Sequence, residues 1–365
     1  MNILVINWQD WMNPLAGGAE VYLYEVFSRL IKKDHHVMLL VSRAQGQRRY
    51  EIIDGFEIYR IGKRSNFNFF VPSALRTLLR HNKIDIVIDD LNKIPFYSPL
   101  FTRRTVLPML MHLFRKTIYR ETNFLFASYV FLAESVIPFF YWGSKFIAIS
   151  HSTSEDLRRI GVHNRIFVVQ SGIPKIPKIT PKRHQKNLVA YVGRVKKYKS
   201  IDHFVRAVLL IKNKRNIEAV IVGDGDAKAD LVDLTRRLCV QITFTGFVSE
   251  EEKFRIYSSA RVVVQPSIKE GWGLTAIEAQ SCSTPVVCAD SPGLREVVDD
   301  NRTGFLYPYG DIDALANRVI ELLDNEAKWQ TFSHAAKEWA QNFSWDNAAE
   351  KIENILDGEI KHNNE

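Results

Sequence analysis

Cysteine is scarce in this chain: three in 365 residues (Cys239, Cys282 and Cys288), none of them in a Cys-x-x-Cys pair. That excludes a disulfide framework and a structural zinc site, and it makes a reducing cytoplasm the expected compartment. A basic leader is also missing. Met1-Asn2-Ile3-Leu4-Val5-Ile6-Asn7 reads directly as a strand, so no secretory signal is expected. There is no Ser-His-Asp order, no His-x-x-x-His and no Cys/His ligand spacing, so neither a hydrolase triad nor a metal centre is expected. Short repeats and low-complexity tracts are absent as well.

Long apolar runs are lacking too, with one near exception. Phe124 to Trp142 is apolar and aromatic, and it approaches the ~20 residues that cross a bilayer. Glu134 falls in its middle and Pro138 interrupts it, so a buried or half-buried helix is expected rather than a span. Arg115, Lys116 and Arg120 before it and Lys145 after it add a second expectation, peripheral contact with anionic lipid. The formal net charge of +8 calls for an anionic partner but does not say which one.

What is present is alternation. Strand-like runs at Asn2–Asn7, His36–Val41, Phe56–Arg60, Ile84–Ile88, Thr105–Met111, Phe146–Ile149 and Ile166–Val169 are separated by helical stretches. Those stretches include Ala19–Lys32, Pro72–Asn82, Phe124–Phe140 and Thr153–Ile160. The pattern stops at Gly172 to Arg183, where three prolines and several cations mark a linker. It resumes with Leu188–Val192, Ala219–Val222, Gln241–Phe244, Val262–Gln265 and Pro285–Cys288. The tail from Ile312 is mostly helical, with a break near Phe343-Ser344-Trp345. The expected fold class is α/β, two doubly wound Rossmann-like domains facing across a cleft. The expected boundaries are 1–172, a linker at 173–186, 187–342, and a tail at 343–365. No complete Gly-x-Gly-x-x-Gly follows the first strand of either series, which argues against an NAD dehydrogenase.

The chemistry concentrates at Glu270-Gly271-Trp272-Gly273-Leu274-Thr275-Ala276-Ile277-Glu278. A buried strand, a glycine turn and a helix start in succession leave backbone amides aimed at one spot that suits a pyrophosphate. Glu270 and Glu278 flank that spot as acceptors for hydroxyls. Donors for a diphosphate beside acceptors for a diol describe a nucleoside-diphosphate sugar rather than a nucleic acid. Gly193-Arg194-Val195-Lys196-Lys197-Tyr198-Lys199-Ser200 follows Leu188–Val192, so Arg194 and Lys199 are candidates to neutralise a leaving diphosphate without a metal. Lys196 and Lys197 read as solvated. Gly223-Asp224-Gly225-Asp226 is a weak dinucleotide or metal motif, and its glycines are read as admitting a nucleotide close to backbone. Gly17 and Gly18 open the first helix, where an anion site and a simple tight turn are both open readings. His112 ends an apolar run, as a polar contact or acid/base candidate.

Together these segments resemble retaining glycosyltransferases of family 4, which have the GT-B architecture. Glu270 to Glu278 is similar to the family's Glu-x7-Glu signature, and Pro285-Val286-Val287, Gly293, Glu296 and Gly304 continue the pattern. Gly193-Arg194 with Lys199 is similar to its Gly-Arg-x4-Lys turn, although Ser200 stands where a glycine is usual. Asn13 to Glu20 is similar to its N-terminal glycine loop, and Ser150 stands where its first domain often has serine. Gly172-Ile173-Pro174 departs slightly, since an acidic or amide residue commonly follows that glycine-aliphatic pair.

The resemblance implies a metal-independent transferase with no cofactor beyond its nucleotide-sugar substrate. Arg194 and Lys199 would bind the donor diphosphate, Glu278 the ribose and Glu270 the transferred sugar. The amides of Gly273, Leu274 and Thr275 would face the phosphates, with Gly18 opposite and His112 near the sugar. It also implies that the helix from about Ser344 returns to the first domain. The aromatic, basic region from Phe96 to Trp142 hints at a glycan or lipid-linked acceptor. Competing expectations are a GT-B-like epimerase or phosphorylase and a non-catalytic nucleotide-sugar-binding protein.

Overall fold

The computed structural model describes residues 1–92, 94–177 and 187–362. Residues 178–186 of the expected linker lie outside the described residues. The chain divides into two compact units, Met1–Gly172 with Ser344–Glu365, and Ile173–Phe343.

The first unit contains β1 (Asn2–Ile6), β2 (His36–Ser42), β3 (Tyr50–Ile53), β4 (Phe56–Ile61), β5 (Ile86–Leu91), β6 (Thr105–Leu110), β7 (Phe146–Ala148) and β8 (Ile166–Val168). They form one sheet in the order β3-β4-β2-β1-β5-β6-β7-β8, parallel except for β3 against β4. Continuous runs such as Ile3-Leu4-Val5-Ile6 are wholly buried, as strands covered on both faces must be. The strand β3 went unread in the sequence because Tyr-Glu-Ile-Ile is short and partly polar, and it sits on an exposed edge.

Helix boundaries moved where proline or a cap intervened. The stretch Phe124–Phe140 is two helices, Phe124–Ser135 and Ile137–Phe140, because Pro138 lacks the amide that would continue the first. The helix expected from Pro72 starts earlier, at Phe67, and carries Pro72 inside it. Ser150 caps the helix His151–Arg159, accepting from the Thr153 amide, and Thr153 Oγ1 donates to the Met111 carbonyl at the end of β6. The terminal helix Trp345–His362 packs on Gly18–Ile31 through Tyr22 against Trp345 (ring centroids 5.6 Å apart) and through Arg29–Asp346, Lys33–Glu353 and His35–Glu353.

The second unit contains β9 (Leu188–Val192), β10 (Glu218–Val222), β11 (Thr243–Gly246), β12 (Val262–Gln265), β13 (Val286–Ala289) and β14 (Gly304–Tyr307). They form an all-parallel sheet in the order β11-β10-β9-β12-β13-β14. The expected strand Gln241–Phe244 is displaced to Thr243–Gly246, where Gly246 bonds back to Gly223. In both sheets the chain starts in the middle, builds outward on one side, then returns to build on the other. The reversal falls between β1 and β5 in the first sheet and between β9 and β12 in the second. At such a switch point neighbouring strands send their helices to opposite faces, which opens a crevice at their carboxyl ends.

Candidate active site

The switch point of the second unit brings together the two segments that carry most of the candidate residues. The loop after β9 holds Arg194 and Lys199, and the loop after β12 holds Glu270. Lys199 Nζ donates to Glu270 Oε1 at 2.5 Å, with side chains 10% and 14% exposed, and Ile268 N donates to the Tyr198 carbonyl at 3.1 Å. Burial pulls the Lys199 ammonium down, but Glu270 and Tyr198 outweigh it and hold it above its ordinary range. Arg194 is exposed, and its charge is felt at Lys199, opposing that rise.

The glycines around this site have a local reason. A Cβ on Gly223 would lie 2.0 Å from the Gly193 carbonyl oxygen, and one on Gly225 2.1 Å from that of Val195. Both have positive φ, 120° and 159°. Their missing side chains admit the neighbouring loop backbone, which is a closer reason for them than the nucleotide approach read from the sequence. Asp224 accepts from the Gly225 amide and from Lys228 Nζ at 2.9 Å, so Lys228, at the third glycine position, serves the turn. Lys196 pairs with Asp226 at 2.6 Å, and Lys197 lies 4.0 Å from Asp230. Gly293 approaches the Glu270 carbonyl, where a Cβ would stand at 2.4 Å, so it fixes the backbone that carries Glu270.

The helix Leu274–Ser281 begins at Gly273, whose Cβ would meet Val297 and Leu294 at under 3 Å. The first amides, those of Leu274 and Thr275, have no carbonyl of their own helix to donate to. Trp272, between Gly271 and Gly273, is buried edge-on against Phe343, with ring centroids 5.2 Å apart. Glu278, on the helix Leu274–Ser281, is bound by another element. Tyr257 Oη donates to one of its oxygens at 2.9 Å and Lys253 Nζ to the other at 3.1 Å, both from the helix Glu250–Ser259. Burial pushes the Glu278 carboxyl up, while Lys253 and Tyr257 draw it back. The two glutamates of the signature are thus tethered to different elements, Glu270 to the loop after β9 and Glu278 to the helix Glu250–Ser259. Sequence reasoning missed Lys253 and Tyr257. Lys253 follows three consecutive glutamates and reads as part of a solvated face, and nothing local links it to a residue 25 positions on.

In the first unit, Gly17 and Gly18 lie after β1, beside that sheet's switch point. The Gly17 amide donates to Glu20 Oε2 at 2.7 Å, so a carboxylate of the helix itself occupies one of the amides expected to serve an anion. Beyond its chain neighbours and its own helix backbone, no described residue comes within 4 Å of where a Cβ on Gly18 would sit. His112 is half-buried just past β6, its ring centroid 4.4 Å from that of Phe114. Among the described residues no group of three or more His, Cys, Asp or Glu side chains is arranged to hold a metal ion.

Two family models match the chain. The model for glycosyl transferases group 1 covers residues 172–339, and that for glycosyltransferase family 4 covers residues 16–175. An uncharacterised glycosyltransferase of Methanocaldococcus jannaschii is 25% identical, over 97% of both chains. The D-inositol 3-phosphate glycosyltransferase of Mycobacteroides abscessus is 37% identical over 47% of this chain, a match spanning 39% of that protein. Among solved structures, sucrose-phosphate synthase from Thermosynechococcus elongatus superposes with a TM-score of 0.81 at 20% identity, covering 98% of each chain. HepE from Anabaena, solved with UDP and glucose, has a TM-score of 0.77 at 17% identity, covering 98% of this chain and 100% of that one. At these identities the two structures speak to the fold.

Proposed function

Since the chain belongs to glycosyltransferase family 4 and has the GT-B fold, we propose that it moves a sugar from a nucleoside diphosphate to a hydroxyl of a glycan or lipid-linked acceptor, with retention at the anomeric carbon and without a metal. The observation that carries this reading is the Lys199–Glu270 pair at the second unit's switch point. The first unit takes the acceptor and the second the donor. Lys199, Arg194 and the amides of Gly273, Leu274 and Thr275 receive the charge that develops on the diphosphate as the bond to the anomeric carbon breaks. The acceptor oxygen joins the same face of an oxocarbenium-like sugar, and its proton leaves with the diphosphate.

Glu270 holds Lys199 when no donor is bound. A diphosphate competes for that ammonium and frees the carboxylate to accept from sugar hydroxyls. Glu278, braced by Tyr257 and Lys253, accepts from the ribose. No side chain is assigned as a covalent nucleophile. His112 and Gly18 contribute from the first unit, and Gly17, Gly193, Gly223, Gly225 and Gly271 shape the backbone that meets the donor.

A thermal-shift screen against UDP-, GDP- and ADP-sugars tests the donor site. A ligand at a hundred times its dissociation constant adds about 2.7 kcal/mol of stability. One donor should raise the melting temperature, and Glu278→Gln should remove that shift. Alanine is the poorer variant because it leaves the Tyr257 hydroxyl without its buried acceptor and Lys253 with Glu250 alone. No shift from any nucleotide sugar refutes the site. Product analysis with and without acceptor then separates transfer from epimerisation or phosphorolysis.

A further inference from the structure

The helix Phe124–Ser135 is apolar on every side. Its inner face, Ala127, Val130 and Ala133, is buried, packed with Ile118 and Phe114. Its outer face is not covered. Leu125, Tyr129 and Leu132 on it, with Val136 at its end and Phe139 on the short helix that follows, recur at steps of four and three, and all are exposed, Leu125 by 81% and Phe139 by 76%. Trp142 continues the run at 75% exposed. A surface helix of a water-soluble domain keeps its outer face polar; this one does not.

Charge is arranged around this strip rather than on it. Between Thr122 and Ser144 the one acidic or basic side chain is Glu134, and it is buried, its two oxygens accepting from the Phe114 and Arg115 amides at 2.7 Å each. The acid that should have forbidden a lipid-facing segment therefore serves the backbone behind it. Exposed cations, Lys116 and Arg120, lie on the short helical turn Arg115–Arg120. Tyr119 of that turn joins it to the apolar helix, its ring 5.6 Å from that of Phe124 and its hydroxyl 3.0 Å from Ser128 Oγ. Glu121, the next acid along, is half-buried. Lys145, expected as a flanking cation, is instead paired with Glu359 at 2.7 Å.

We infer that this strip is a docking surface for an anionic lipid bilayer, with Leu125, Leu132, Phe139 and Trp142 entering the acyl boundary and Lys116 and Arg120 meeting the headgroup phosphates. An apolar centre edged by Trp and Tyr and then by Lys and Arg matches the order of a bilayer from acyl chain to phosphate. No helix among the described residues is long and apolar enough to cross a membrane, and this one stops at Ser135, so the strip lies in the interface plane. The inference does not rest on the sugar-transfer reading, since docking needs no donor.

Flotation of the full chain with vesicles tests it. At low salt the protein should float with phosphatidylcholine vesicles containing about one-third phosphatidylglycerol and much less with phosphatidylcholine alone. The triple variant Leu125→Asp, Leu132→Asp, Phe139→Asp should keep its melting temperature, because all three side chains are exposed, and should lose binding by roughly a hundredfold or more. Lys116→Ser with Arg120→Ser should cost on the order of tenfold on the anionic vesicles and little on the neutral ones. Wild-type protein that stays unbound, or a triple variant that floats equally well, overturns the inference. So does a wild-type dimer without vesicle binding that the triple variant dissociates, which would assign the strip to a second copy of the chain. The donor screen is unaffected by any of these results.

Discussion

The two switch points occupy equivalent places in their sheets and surround their carboxyl groups with different neighbours. In the second unit Glu270 and Glu278 each face a lysine, and Tyr257 supports the more buried of the two. In the first, Asp89 and Asp90 stand near the end of β5, both buried. Asp89 accepts from Tyr141 Oη at 2.6 Å and the Ser98 amide at 3.2 Å. Asp90 is fully buried, and among the described residues neither of its oxygens has a hydrogen-bond partner. Burial pushes its carboxyl well up, and the neighbouring charges of Glu20 and Asp89 push it further. Burial pushes the carboxyls of both Glu278 and Asp90 up, but Lys253 and Tyr257 draw Glu278 back, whereas the charges beside Asp90 push it further. Matched charge suits a site that exchanges an internal ion pair for a charged ligand. Neutralised charge suits a packed junction between strands.

Breaking the matched pair should have the largest effect. Lys199→Ala removes the cation from Glu270 and from the leaving diphosphate, and turnover should fall about a hundredfold or more, as loss of a preorganised charge contact does. Steady-state rates with the donor found by the screen check this, and near-normal turnover would remove Lys199 from the chemistry.

Asp90→Asn sharpens the contrast from the other side. Burial and the charges of Glu20 and Asp89 hold the Asp90 carboxyl well above the range in which the unfolded chain releases its proton. Wild-type stability therefore declines as pH rises above that range, and the variant escapes the decline. Its advantage in unfolding free energy should be small near pH 4 and reach about 1 kcal/mol or more near pH 8, read by denaturant titration at each pH. An equal difference at both pH values would mean that Asp90 is ionised in the fold.

Ser200→Gly is the smallest test. Ser200 has φ 49° and ψ 42°, the left-handed conformation, at the turn that presents Lys199, and its hydroxyl lies 2.9 Å from Tyr309 Oη. Relief of the Cβ clash is worth about 1–2 kcal/mol, against the lost hydrogen bond and the greater freedom of glycine when unfolded. The melting temperature should rise slightly or hold. A clear fall would show that the Tyr309 contact outweighs the strain.

The fold class was legible because parallel strands buried on both faces are written as unbroken Val/Ile/Leu runs, such as Val262-Val263-Val264. Glu270, Lys199 and Glu278 stood out because each lies beside a strand end or helix start that the local pattern marks. Tyr50–Ile53 was hidden by its edge position, and the break after Ser135 falls two residues before the proline that explains it. Lys253 and Tyr257 were invisible for a different reason. Their meaning is a contact with Glu278, set by packing between two helices rather than by spacing along either. The apolar strip was visible as composition, but only the structure separates its covered side from its bare one and turns Glu134 inward.

The return of Trp345–His362 to the first unit has a consequence for how the chain is made. Ala348, Ala349, Ile352 and Leu356 are buried there, so the unit begun at Met1 stays unfinished until the ribosome has passed through the whole of the other. Domains emerging during synthesis ordinarily fold in order from the N-terminus. Here the half translated first is the half completed last, and a fragment ending at Gly172 would leave the surface around Tyr22 without its cover.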